Sequence, residues 1–271
     1  MRARLAVHAA VVAATIVVLY PVLLVLKKAV EPGQEFALSP LPWPEAVTGS
    51  HFADVFAHPY FWRYALNSTV LALATTAVGL ALATTAAYAL ARLRFPGRRS
   101  ALGSFLLVQM FPSTLLVIPL YVVLDKLGLL SSTAGLVLVY ATTAIPFCVW
   151  TLRGWFESLP RELEEAARID GASAWGVFFR VVLPLSRPAI AVTGLFSFMT
   201  AWNEFILAGT FLTDERSYTL PVLLHHYIGA YHAEWGRFAA AAIVTSLPVM
   251  ALFYALQRYL VGGVTAGAVK G

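Results

Sequence analysis

The sequence predicts an all-α integral membrane protein with six transmembrane helices, and three observations carry that expectation. The chain has 271 residues, of which 59% are hydrophobic and only 12% charged, about half the charge of a soluble domain. Its apolar residues gather in runs of about 20 or more, the length that crosses a bilayer. Such runs must be helices, because in lipid each backbone polar group has to be bonded within its own segment. Basic residues also alternate in density between successive connections, which orients a chain in a membrane.

The first run, about 5–26, follows Arg2 and Arg4 and so begins like a secretion signal. It is too long for one, shows no small-residue cleavage site, and is followed by Lys27 and Lys28, so an uncleaved span is expected. The external segment 27–64 is rich in proline and aromatics, among them Trp43, Tyr60, Phe61 and Trp62. Within it, 51–64 reads as a helix lying in the interface with its aromatics at headgroup depth. The second run, 65–91, carries Ala72, Ala74, Gly79, Ala81, Ala83 and Ala86, and small residues let helices approach closely. The third, 101–124, holds Gln109, Pro112 and Pro119. Those prolines predict a kink or interruption, as in transporter helices that line a path; a kink with no path beside it is the alternative.

A short outside connection makes the third run a hairpin with the fourth, 132–152. The fourth holds Cys148, the one cysteine, which excludes an internal disulfide and reads as a small packing residue. The fifth run, 188–212, contains Asn203 and Glu204. An ionised carboxylate at the bilayer centre costs roughly 2.5–3.5 kcal/mol, so Glu204 must face protein or a watery cavity. A gate or path-lining role and a structural hydrogen-bonding role both remain open. The external segment 213–237 holds His225, His226, Tyr231, His232, Glu234 and Trp235. That spacing fits no standard zinc pattern, so partner contacts rather than a metal are expected. A sixth run, 238–260, leads to a small, flexible end, 261–271. The organisation is thus 1–64 as first helix and external segment, 65–260 as a five-helix core, and 261–271 as a tail.

Thirteen of the nineteen basic residues fall on one side if the N-terminus is cytoplasmic. This favours cytoplasmic N- and C-termini, with Lys27 and Lys28 a local exception. The net charge of +5 follows from this bias and implies no nucleic-acid partner.

The segment 154–187, between the fourth and fifth runs, is strongly charged and must face water. Ser158 and Pro160 are helix-start signals and Gly171 is a stop. A turn of 100° per residue places Leu163, Ala166 and Ala167 on one face, with Arg161, Glu164, Glu165 and Arg168 opposite. Arg161–Glu165 and Glu164–Arg168 are spaced as i,i+4 ion pairs. A second helix starts after Ser173, with Trp175, Phe178, Phe179 and Val182 at i, i+3, i+4 and i+7. Pro184 is expected to end it.

The order Glu165-Ala166-Ala167, three residues, Gly171, nine residues, Val181, Val182, Leu183-Pro184 resembles the signature loop of the membrane subunits of bacterial ABC importers. Asn67-Ser68-Thr69, Gln109-Met110-Phe111-Pro112, Ile118-Pro119 and Trp202-Asn203-Glu204-Phe205 extend the resemblance over about 60–271. It is closest to the carbohydrate-uptake branch. The resemblance implies the type I permease fold, in which this loop docks into a cleft on a partner ATPase dimer. Glu165 would be the acidic contact, Ala166 and Ala167 the close fit and Gly171 the bend, with Asp170, Leu183 and Pro184 completing the motif. The end of the chain resembles that of the smaller maltose/maltodextrin permease subunit. That implies a heterodimer with a second permease, and Thr265, Ala266, Gly267 and Lys270 at the ATPase interface. The 213–237 segment would meet an external sugar-binding protein. The setting implied is a bacterial inner membrane, and the cargo maltose, maltodextrin, trehalose or another glycoside.

A P-loop needs a lysine followed by Ser or Thr. The lysines here precede Lys28, Ala29, Leu127 and Gly271. ATP and magnesium are therefore expected on the partner, with no cofactor and no enzymatic activity in this chain. The alternative is a stand-alone or ion-coupled carrier or channel, which needs ionisable groups along its spans. His8 and Glu204 are nearly the only such groups.

Overall fold

A computed structural model describes residues 2–35, 40–229 and 232–268, with Arg2, Ala3, Ser113 and 260–268 described by backbone alone. The regular structure among these residues is helical, apart from one isolated antiparallel bridge between Ile228 and Ala233. The helices are α1 (Arg2–Val30), α2 (Ser50–Ala57), α3 (Phe61–Arg92), α4 (Arg98–Met110), α5 (Val117–Lys126), α6 (Thr133–Ser158) and α7 (Glu162–Ile169). They continue with α8 (Ala174–Val177), α9 (Leu183–Leu185), α10 (Arg187–Trp202), α11 (Ile206–Phe211), α12 (Leu220–His226) and α13 (Trp235–Ala268). By length and composition α1, α3, α6 and α13 can each cross a membrane, and two bent helix pairs raise the number to six.

The departures from the expected spans have local causes. The third run is fully interrupted: α4 and the helix that follows Pro112 meet at 94°. Pro112 excludes the helical conformation from its predecessor, and Phe111 is extended with ψ 123°. Pro119 breaks nothing, because it sits in the first turn of α5, where its missing N–H would have no partner. The fifth run is likewise two helices, with Asn203, Glu204 and Phe205 unwound between α10 and α11. The helix expected over 51–64 stops at Ala57, since His58 precedes Pro59 and is extended at ψ 128°. Phe61 and Trp62 instead open α3. At the other end the backbone of α13 stays helical to Ala268, so most of the expected flexible tail extends the last helix. Propagating an existing helix costs only about 1 kcal/mol per glycine, which Gly262, Gly263 and Gly267 do not prevent.

The chain forms two compact units, 1–65 with 219–248, and 66–218 with 249–271. In the first, α1 is apolar all round and none of its most apolar stretch is buried in the chain. Lys27 and Lys28 end it in the last turn, where cations meet the negative end of the helix dipole. Lys27 Nζ donates to the Leu41 carbonyl at 2.9 Å and Lys28 Nζ to that of Gly33 at 3.1 Å. These two lysines are buried structural ties.

The same unit holds a lock around His51, which is buried. Its ring nitrogens lie 2.9 Å from the Glu31 carbonyl and 3.2 Å from Gln34 Nε2. Gln34 Oε1 accepts from Gly236 N at 3.1 Å and Arg237 N at 3.3 Å, capping the start of α13. A Cβ at Gly236 would run into the His51 ring. Gly236→Ala is therefore expected to cost about 1–3 kcal/mol by overpacking, read as a lower melting temperature of the purified protein.

In the second unit α10 packs along α6. The small residues of α3 bring it close as well: a Cβ on Gly79 would sit 3.3 Å from Ser197 Oγ, and one on Gly194 would sit 3.2 Å from Leu80 Cδ1. The core runs from Ala83, Ala87 and Ala91 through Cys148, Leu152 and Phe156 to Val177, Phe178 and Val182. Buried Cys148 is one of these packing residues. At the far end Asn67 Nδ2 donates to the carbonyls of Arg216 (3.0 Å) and Tyr218 (2.9 Å).

Candidate functional site

The charged segment folds into a two-helix elbow. α7 ends in a Schellman turn: Gly171 N donates to Arg168 O at 3.0 Å and Ala172 N to Ala167 O at 2.9 Å. Gly171 has φ +87°, the left-handed conformation that a glycine adopts without strain. Ser173 caps the next helix, its hydroxyl accepting from Gly176 N at 3.1 Å. That helix runs through α8, a π-helical stretch over Phe178–Val182 and α9, then turns by 78° into α10. Pro184 lies inside α9, and the turn falls at Ser186, so the expected stop at Pro184 is corrected by two residues.

The faces of the elbow differ from the periodicity reading. Neither expected i,i+4 ion pair is found among the described residues. Glu164 instead turns inward, where its carboxylate accepts from Arg92 Nε at 2.6 Å and Tyr88 OH at 2.8 Å. The Glu164 and Arg92 side chains are each 8% exposed. Arg92 Nη2 also donates to Leu159 O at 2.9 Å, at the entry to α7. Ala167 follows Glu164 inward and packs against the core. Leu163, Glu165, Ala166, Ile169 and Asp170 face outward. This buried triad was missed by reading the loop alone; the signal was Tyr88 and Arg92, an i,i+4 pair at the end of α3.

The aromatic face also splits. Phe178 and Val182 are buried, whereas Trp175 and Phe179 stand out at 65% and 58% exposure, stacked at 5.8 Å. Successive residues lie about 100° apart around a helix, so Phe178 falls on the inner face with Val182, four residues on, and Phe179 on the outer face with Trp175, four residues back. Phe178 seats against Tyr88 with ring centroids 4.9 Å apart. The outer surface is thus Glu165, Ala166, Ile169, Asp170, Trp175 and Phe179, on a base clamped to α3. Leu183 and Pro184 are half-buried and belong to the base.

The interrupted third run opens a cavity of about 410 Å³. Gln109 brings an amide to a mostly apolar wall that includes Phe111, Thr142, Phe147, Phe196 and Leu207. Glu204 does not line it. Its carboxylate accepts from Tyr140 OH at 2.7 Å, from Leu207 N at 2.9 Å and from Ala208 N at 3.1 Å. Glu204 therefore caps α11 and ties it to α6, which positions Leu207 in the cavity wall. Asn203 is exposed in the unwound segment and is not among the lining residues.

Outside the elbow, His225 and His226 are exposed at the end of α12. Trp235 is half-buried, with its N–H donating to Gln34 O at 3.1 Å. Tyr231 and Lys270 lie outside the described residues, and Thr265, Ala266 and Gly267 are described only as helical backbone.

Several apolar helices, a clamped two-helix elbow with an exposed apolar face, and two spans broken around a cavity define the membrane subunit of a transporter. The family model described as "Binding-protein-dependent transport system inner membrane component" matches residues 77–265, and the chain belongs to this family. It is 38% identical to the maltose/maltodextrin transport system permease protein MalG of Yersinia pestis over 275 aligned residues, covering 94% of this chain and 89% of that one. It is 37% identical to the diacetylchitobiose uptake system permease protein DasC of Streptomyces coelicolor over 253 residues, covering 93% and 92%. The fold matches a chain in the crystal structure of a bacterial ABC transporter involved in alginate import, with TM-score 0.79, 24% identity and coverage of 96% and 97%. The chain is accordingly an inner-membrane permease subunit of a binding-protein-dependent ABC transporter, with the type I importer fold.

Proposed function

We propose that this permease imports an oligosaccharide of the maltose, maltodextrin or trehalose kind, driven by ATP hydrolysis on a partner subunit. The observation that carries the cargo class is the near full-length likeness to permeases named for maltose/maltodextrin and diacetylchitobiose uptake. The complex would contain a second permease, an ATPase dimer at the cytoplasmic face and an external sugar-binding protein. ATP and magnesium would bind on the ATPase, and this chain would carry no cofactor. The basic-residue bias supports cytoplasmic N- and C-termini, with the elbow on the same side.

In this reading ATP closes the ATPase dimer, and the elbow, seated through Glu165, Ala166 and Asp170 and bent at Gly171, moves with it, while Ala167, expected at the partner, serves the elbow's own base. Because its base is tied to α3 by Glu164, the motion reaches α4, α6 and α10, and the cavity beside Gln109 opens outward. Asn203 and Glu204 act at the hinge between α10 and α11. His225, His226, Tyr231 and Trp235 contact the binding protein, and Thr265, Ala266, Gly267 and Lys270 reach between the ATPase subunits. A deletion strain grown on a panel of single sugars tests the cargo. Loss of growth on one oligosaccharide, with growth on glucose intact, is the expected result; unchanged growth on every glycoside of the panel contradicts it.

A further inference from the structure

The turn that joins α3 to α4 carries a second surface. It connects two membrane-crossing segments in five residues, Leu93–Gly97, and so lies where the hydrocarbon core meets the headgroups. Its side chains suit that depth. Leu93 and Phe95 are exposed apolar groups, at 53% and 40%, on either side of Arg94.

The arginines here fall into two sets. Arg92 is bound to Glu164, while Arg98 and Arg153 share Glu157 at 3.2 and 2.9 Å. Arg98 Nε is further held by the Leu90 carbonyl at 2.6 Å. Arg94 and Arg99 have no side-chain hydrogen bond or carboxylate partner among the described residues, although both are exposed. A concavity of about 370 Å³ opens between the two sets, lined by Arg94, Phe95, Gly97, Arg98, Arg99 and Ser100. The carboxylate that pairs with Arg98, Glu157, is already shared by two guanidinium groups. An anion entering it meets Arg94 and Arg99 unspent, with the fixed Arg98 as a wall.

We propose that this turn binds the headgroup of an anionic phospholipid. The phosphodiester would sit between Arg94 and Arg99 through charge-assisted hydrogen bonds, with its acyl chains beside Leu93 and Phe95. Free phosphate would satisfy the arginines but leave the apolar flanks unused. The site rests on the family's membrane-spanning architecture and not on the identity of the sugar or the orientation of the termini.

The test is lipid retention by the assembled transporter, measured by native mass spectrometry after equilibration with phosphatidylglycerol or phosphatidylcholine. The wild-type complex is expected to prefer phosphatidylglycerol. Arg94→Gln and Arg99→Gln should each weaken that retention about fivefold, the effect of one basic residue at an anionic membrane surface. The Arg94→Lys, Arg99→Lys double variant should keep the preference. Equal retention of both lipids, or undiminished phosphatidylglycerol on the double glutamine variant, overturns the proposal. Displacement of the lipid by millimolar inorganic phosphate would make this a free-anion site, and loss of the ATPase subunits from the glutamine variants would make it a protein contact. Either outcome also overturns it.

Discussion

Glu164→Ala is expected to destabilise the protein by about 3–5 kcal/mol, the cost of leaving one member of a buried ion pair alone. The stranded group is Arg92, 8% exposed, which would lose its 2.6 Å partner while Tyr88 loses its acceptor. The elbow would come away from α3, so thermal stability of the purified complex and transport should fall together. A double-mutant cycle separates pairing from mere truncation. Arg92→Met with Glu164→Met removes both charges and should recover much of the lost stability, because a buried pair is often replaceable by apolar residues of similar volume. Equal stability of Glu164→Ala and the wild type would show that the clamp does not hold the elbow.

The next residue along the chain should behave in the opposite way. Glu165 faces water on the outer side of α7, and a surface substitution away from special features changes stability by only about 0.5 kcal/mol. Glu165→Lys should leave membrane insertion and melting temperature unchanged. Reversing a charge at a docked interface costs several kcal/mol, so transport per ATP hydrolysed should fall about tenfold or more. Reconstituted vesicles with parallel ATPase and uptake assays provide the check, and unchanged coupling would remove Glu165 from the interface. In the proposed mechanism two neighbouring glutamates would divide the work: Glu164 holds the elbow to its own chain, and Glu165 would present it to the partner.

Which glutamate does which was not legible in the loop. Periodicity grouped Glu164 with Glu165 on a charged face, because 100° per residue says which residues share a face but not which face turns inward. The choice was made by Tyr88 and Arg92, more than seventy positions away in sequence. The aromatic stripe failed for a related reason. Trp175, Phe178, Phe179 and Val182 share one broad stripe by spacing, but the core takes up only Phe178 and Val182 and leaves Trp175 and Phe179 outside.

Chain-breaking chemistry was more readable. Pro112 announced an interruption and Gly171 a bend, and both lie where backbone sterics demand them. Glu204 announced a carboxylate needing partners within a span. The partners, Tyr140 and the first N–H groups of α11, came only with the fold. Span number was accessible from apolar length alone, whereas the break between α10 and α11 was not, since no proline or glycine marks it.

The central claim is that this chain moves sugar only when a partner ATPase drives the elbow. The most direct measurement is uptake of labelled maltodextrin into proteoliposomes containing the permease subunits and binding protein, with and without the ATPase subunits and ATP. Uptake should require both the ATPase and ATP. Sugar accumulation by the permease without them would contradict the account and identify the chain as a stand-alone carrier.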